Sequence, residues 1–171
     1  MTGIFGPHQG EAGPVFNRDR CLALLGEAGL DGLIATTPEN VFYLSGFCGF
    51  SGRILRGVHA LALWLAREPG RPAVVVPRSD LDMVVQFGTA GAEVRPYGLF
   101  YVESPAADGP EGPDRLLTAP AEPAAFVEVA RGLLRDLVRP GERLGLDEAG
   151  LPPDLVESLR SELGPGRVRP A

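Results

Sequence analysis

The stretch Leu30-Asp31-Gly32-Leu33-Ile34-Ala35-Thr36-Thr37-Pro38-Glu39-Asn40 decides how the chain is read. Leu30 to Ala35 has the apolar character of a buried strand and runs almost directly into a helix start. Thr37 suits a helix cap and Pro38 the first helical position, where its missing N–H costs nothing. Glu39 favours the positive end of the helix dipole. A short helix through Leu44, closed by Gly46, is the expectation. A strand that feeds a helix with so little between them is the unit of a layered α/β fold.

Upstream, residues 1–13 are Gly-rich and polar and read as a flexible arm. A helix from about Val15 to Ala28 follows, with Phe16, Leu22, Leu25 and Ala28 near one face and Gly29 placed to end it. Downstream, Gly46-Phe47-Cys48-Gly49-Phe50-Ser51-Gly52-Arg53 is glycine-punctuated and reads as a loop. His59 to Ala66 and Ala73 to Val76, separated by the turn Arg67-Glu68-Pro69-Gly70, read as an antiparallel hairpin. Ser79 is placed to cap a helix through about Gly88, with Asp80 and Asp82 in its first turn. Ala92 to Tyr97 reads as a strand with a short extension at Leu99 to Val102. Glu103 to Pro120, dense in Pro, Gly, Ala and Asp, reads as a long mobile or functional loop. A long helix over Pro123 to Val138 carries the stripe Phe126, Ala130, Leu133, Leu134 and Leu137. Arg143 to Asp147 is a short strand, Pro152 to Leu163 the last helix, and Val168 begins one more strand. Alternating helices and strands with one hairpin predict a three-layer α/β/α domain around a mixed sheet.

Composition narrows what such a domain does. At 171 residues the chain fits one domain, able to bury roughly 68–70% of its unfolded surface. A net charge of −6 argues against a nucleic-acid partner. No apolar run is long enough to span a membrane, and the N-terminus lacks the pattern of a secretory signal, so a cytoplasmic protein is expected. All 16 basic residues are arginine. The lack of lysine removes a Walker-type phosphate lysine, a Schiff-base lysine and Ser–Lys nucleophile pairs.

A search for chemistry finds no complete catalytic centre. The two histidines, His8 and His59, belong to no metal-ligand spacing, so no metal site is expected in this chain. Cys21 and Cys48 read as reduced structural thiols. Gly49-Phe50-Ser51-Gly52-Arg53 approaches GxSxG and fails at its last position, so Ser51 reads as a loop residue. Gly46, Gly49 and Gly52 do not form a dinucleotide fingerprint. Asp80 and Asp82 read as helix-start residues before paired carboxylates, and Asp147-Glu148 as a solvated turn at a strand end. Arg53 and Arg56, close to Phe50, are either a planar fork for a carboxylate or a solvated pair, and the residues alone leave both open.

The order of segments resembles the N-terminal domain of the creatinase / Xaa-Pro peptidase (prolidase) family, the pita-bread hydrolases. The resemblance rests on an opening helix followed by Ala28-Gly29-Leu30-Asp31-Gly32-Leu33-Ile34, then Thr37-Pro38-Glu39-Asn40-Val41-Phe42-Tyr43-Leu44-Ser45-Gly46-Phe47. Leu144-Gly145-Leu146-Asp147 before a helix falls in the expected order, and the likeness covers about Val15 to Val168. It implies an N-terminal domain with a ribonuclease H-like motif over 14–171, non-catalytic, and a separate catalytic pita-bread domain that this chain lacks. In the peptidase branch that missing domain holds two divalent metal ions through two Asp, one His and two Glu; the creatinase branch works without metal. The implied partners are a second copy, in a homodimer, and a small-molecule or dipeptide substrate. An aromatic and an arginine in the loop after the Tyr-x-Ser-Gly segment contact substrate carboxylate in trans in the creatinase branch. Phe50 and Arg53 occupy that loop here, in a form about one residue shorter. The implied function is dimerisation and control of substrate access in a hydrolase, the chain itself being inactive. The alternative is a stand-alone small-molecule-binding or assembly module of the same fold.

Overall fold

The computed structural model describes residues 17–55, 57–87, 91–100, 124–149 and 151–171. The arm, residues before Asn17, and the Glu103 to Pro120 loop lie outside the described residues.

Helix α1 (Arg18–Ala28) starts at Asn17, whose side chain accepts from the Arg20 N–H. It ends at Gly29 with φ 64°, a left-handed conformation that glycine adopts without steric cost. The Leu30 N–H then reaches back to the Leu25 carbonyl at 2.9 Å, closing the helix as a Schellman-type cap does. Strand β1 (Gly32–Ala35) follows, and helix α2 (Pro38–Ser45) has Pro38 in its first turn and ends at Gly46. The hairpin forms as β2 (Leu61–Leu65) and β3 (Ala73–Pro77), and β4 (Glu93–Tyr97) succeeds it. Helix α5 (Phe126–Leu137), β5 (Leu144–Leu146), helix α6 (Pro153–Leu163) and β6 (Val168–Pro170) complete the chain.

Four local expectations change. Residues 51–54 of the presumed loop form a short helix, α3 (Ser51–Ile54). The residues after Pro77 make a 3-10 turn, Arg78–Asp80, before α4 (Leu81–Phe87), so Ser79 lies inside helical structure and caps nothing. Thr37 occupies the cap position of α2 without a side-chain cap bond, because its hydroxyl is spent on Asp147. Leu99 and Phe100 are not strand.

The strands form one sheet in the order β4-β3-β2-β1-β5-β6. Pairs β1–β2 and β2–β3 are antiparallel, while β1–β5, β5–β6 and β3–β4 are parallel. The mixed sheet follows from the sequence: a turn joins β2 to β3, and helices separate the parallel partners. Side chains of a strand alternate between faces, and β2 shows the consequence. Leu61, Leu63 and Leu65 join Leu133, Leu134 and Leu159 in a core beneath α5 and α6. Ala62 and Trp64 join Leu25, Val41, Leu44 and Leu81 in a second core beneath α1, α2 and α4. Helices thus cover both faces, the three-layer arrangement expected. The second core carries α2 and the segment that follows it, where the site lies.

Close packing around β1 has a cost for change. A Cβ on Gly32 would stand 2.5 Å from the Trp64 carbonyl oxygen, a backbone atom held by the ladder. Gly32→Ala is expected to lower stability by about 1–3 kcal/mol through overpacking, read as a lower urea midpoint with an unchanged slope.

Candidate functional site

The site is a small cleft at the carboxyl end of β1, where α/β sheets place their ligands. Thr36, Pro38, Phe47, Gly49, His59 and Asp80 line it, and the exposed Arg53 stands at its rim. The segment at Thr36 and Thr37 is fixed by Asp147, at the end of the neighbouring strand β5. Its Oδ2 accepts from the Thr37 N–H at 3.1 Å, the Thr37 hydroxyl at 2.7 Å and the Asn40 amide at 2.9 Å. Its Oδ1 accepts from the Ala149 N–H at 3.2 Å, and its carbonyl accepts from the Thr36 hydroxyl at 2.8 Å. Partial burial pushes the Asp147 carboxyl up, but the bonds from Asn40, Thr37 and Ala149 outweigh it and hold the group below its ordinary range. The reading of Asp147-Glu148 as a solvated turn is therefore corrected. Asp147 is a half-buried anchor serving the orphan N–H groups that begin α2, and Glu148 is ion-paired with Arg160 on α6.

Asp80 organises the segment after α2. Its carboxylate is buried, accepting from the Ser51 N–H at 3.0 Å on one oxygen and from the Ser51 hydroxyl at 2.8 Å on the other. Asp80 and Asp82 stand in the first turns of the 3-10 segment and of α4, as expected; what changes is the partner of the Asp80 carboxylate, which serves α3 across 29 residues. Ser51, read as a loop residue, is instead the first residue of α3 and is buried as the partner of Asp80. Asp82 is exposed and accepts from the Met83 N–H. The two carboxylates do not form a pair.

Beside them, Tyr97 on β4 donates from its hydroxyl to the His59 carbonyl at 3.0 Å. Burial, and then the Asp80 charge, push the Tyr97 phenol up to about 12, so it remains a donor across the physiological range and holds the His59 segment against the sheet. His59 itself lines the cleft. Its place there was not legible from its neighbours in sequence.

Arg53 lines the cleft, and its backbone N–H donates to the Phe50 carbonyl at 3.0 Å; Phe50 itself is not among the lining residues. Phe50 precedes α3 and is 54% exposed. Arg53 is exposed and donates from Nη2 to the Cys48 sulfur at 2.8 Å. Among the described residues no carboxylate pairs with the Arg53 guanidinium. Arg56 lies outside the described residues. Large apolar side chains of the same stretch are also exposed: Phe42 and Tyr43 on α2, Ile54 on α3 and Leu55 at its end. Cys21 and Cys48 are free thiols, and burial raises the Cys21 thiol above its ordinary value.

Chemically, the cleft offers a guanidinium on its rim, apolar walls and a buried carboxylate. It offers no metal ligand set: among the described residues no three His, Cys, Asp or Glu side chains come together to hold an ion. Among the described residues no helix is long and apolar enough to cross a membrane.

Comparison with known proteins gives a consistent picture of the fold. The family model described as Creatinase/Prolidase N-terminal domain matches residues 18–170. The N-terminal domain of the cytoplasmic peptidase PepQ from Mycobacterium tuberculosis H37Rv is similar in structure, with a TM-score of 0.52 at 18% identity, over 90% of this chain and 89% of that one. The prolidase from Thermococcus sibiricus gives a TM-score of 0.59 at 14% identity, over 94% of this chain and 35% of its own length. The Xaa-Pro dipeptidase from Bacillus anthracis gives 0.54 at 14%, over 90% of this chain and 32% of its own. The chain thus spans about a third of these whole peptidases and nearly all of the separate domain. A search of the curated proteins found no match.

Proposed function

The chain belongs to the Creatinase/Prolidase N-terminal domain family, and we propose from that premise that it serves as the non-catalytic domain of a Xaa-Pro peptidase-like or creatinase-like hydrolase. In this reading it narrows access to an active site carried by another domain. It also presents Arg53, backed by Phe50, to the carboxylate of a small substrate held in a facing subunit. The cytoplasmic peptidase PepQ, whose N-terminal domain it resembles, supports a cytoplasmic setting. Exposed large apolar side chains, Phe42 on α2 and Phe50, Ile54 and Leu55 in and beside α3, support a homodimer, since exposed apolar surface marks interaction sites. If the hydrolase is of the peptidase type, any metal ions belong to the other domain.

The observation that carries the reading is the Arg53 guanidinium, exposed on the rim of an apolar cleft with no carboxylate partner among the described residues. A guanidinium fork grips a carboxylate through paired charge-assisted hydrogen bonds. The test is Arg53→Gln in the gene product that contains this chain, assayed with an Xaa-Pro dipeptide and its C-terminal amide. A loss of about 1.5–3 kcal/mol for a bond to a charged group lowers kcat/KM for the free dipeptide by about 10- to 100-fold. The amide, which lacks the charge, should change little. An equal fall for both substrates, or none for either, overturns the role of Arg53. Absence of hydrolysis of Xaa-Pro dipeptides and of creatine overturns the parent activity.

A further inference from the structure

Helix α3 is four residues long and has no side-chain cap of its own. A single turn fixes several backbone dihedrals for very few hydrogen bonds and does not hold its shape unaided. Yet it carries Arg53, and the side chain before it is Phe50. What seats it is Asp80. That carboxylate comes from the turn after β3, is 3% exposed, and takes both the N–H and the hydroxyl of Ser51. The fit extends to Gly49, where a Cβ would stand 2.5 Å from Asp80 Oδ2 and 2.8 Å from the Phe47 ring. The backbone therefore approaches the carboxylate as closely as only glycine allows. Tyr97 donates to the carbonyl of His59, which lines the same cleft.

We infer that Asp80 is a positioning residue: by capping α3 from a distant segment it holds the Arg53 guanidinium at the cleft rim. This rests on the proposed function only for the task given to Arg53. The seating itself can be read separately, because Arg53 lies against the Cys48 thiol at 2.8 Å. A guanidinium there draws an anionic alkylating reagent. The rate of Cys48 with iodoacetate, divided by its rate with iodoacetamide, reports whether Arg53 is in place, and Cys21 serves as the internal reference.

The full chain is compared as parent, Arg53→Gln, Asp80→Ala and Asp80→Asn. Arg53→Gln is expected to lower the ratio roughly 3- to 10-fold, the effect of one nearby charge in a partly hydrated setting. Asp80→Ala should fall to the same level, with Cys21 unchanged. The sign is decisive, because removing a negative charge by itself would raise the ratio. Asp80→Asn keeps an acceptor for the Ser51 N–H and should hold the parental ratio or exceed it. An Asp80→Ala ratio equal to or above the parent overturns the inference, as does an Asp80→Asn ratio as low as that of the alanine variant. Should Asp80→Ala fail to fold, with both cysteines reacting as in urea, Ser51→Ala replaces it. That variant keeps the charge and loses one bond to the carboxylate, so the ratio is expected to fall about twofold or more; an unchanged ratio overturns the proposal. An enzyme whose turnover ignores Arg53 would defeat the trans contact and leave these alkylation ratios as they are.

Discussion

Replacing Trp64 by alanine is expected to remove about 3–5 kcal/mol of stability. Trp64 sits on the central strand β2 with no exposed surface, packed among Leu25, Val41, Leu44 and Leu81. Its indole N–H also donates to the Pro69 carbonyl at 3.1 Å, so the side chain ties the hairpin turn to the core. Truncation leaves a large cavity and an unserved carbonyl together. Domains of this kind hold about 5–15 kcal/mol in total, so the loss is a large part of the whole. Circular dichroism during urea unfolding measures it. A change below about 0.5 kcal/mol, the size usual for a surface substitution, would mean that the second core does not depend on this side chain.

Asp147→Ala is expected to have the second largest effect, about 2–3 kcal/mol at neutral pH, because a charged acceptor serving Thr37, Asn40 and Ala149 is lost, less a discount for its partial exposure. Here the pH dependence supplies the sharper test. The carboxyl lies below its ordinary value of 3.8 in the folded protein. The folded state therefore binds its proton less readily than the unfolded chain does. Its contribution is fully present above the unfolded value and fades as pH falls through the folded one. Parent and variant should accordingly differ in urea midpoint at pH 7 and converge as pH drops below about 4. Emission from Trp64, the single tryptophan, reports unfolding in both proteins. A difference that stays constant down to pH 2 would show that shape and not charge accounts for the loss.

The same network explains what could be read in advance at the site and what could not. Pro38 in the first turn of α2 and Gly46 at its end were legible because each acts on its own backbone. Thr37 was legible as a position and not as a bond: its hydroxyl turns away from the helix to a carboxylate 110 residues later. Asp80 and Ser51 show the same limit. Asp80 was legible as a helix-start residue and Ser51 reads locally as a loop residue, but the bonds between them were not legible, because β2 and β3 bring the two segments together. His59 had no local signal at all, and reaches the cleft because it precedes β2 and is held by Tyr97 from β4.

Periodicity and punctuation in the chain by themselves determined the layers, the hairpin and the ends of α1 and α2, since those depend on which faces are apolar and on the backbone freedom of single residues. Strand order, the burial of Asp80 and the anchoring role of Asp147 were decided only by the tertiary structure. Hydrogen bonds between residues 29 and 110 positions apart have no local signature; they exist because the sheet sets β1 beside β5 and the segments after β1 and β3 side by side.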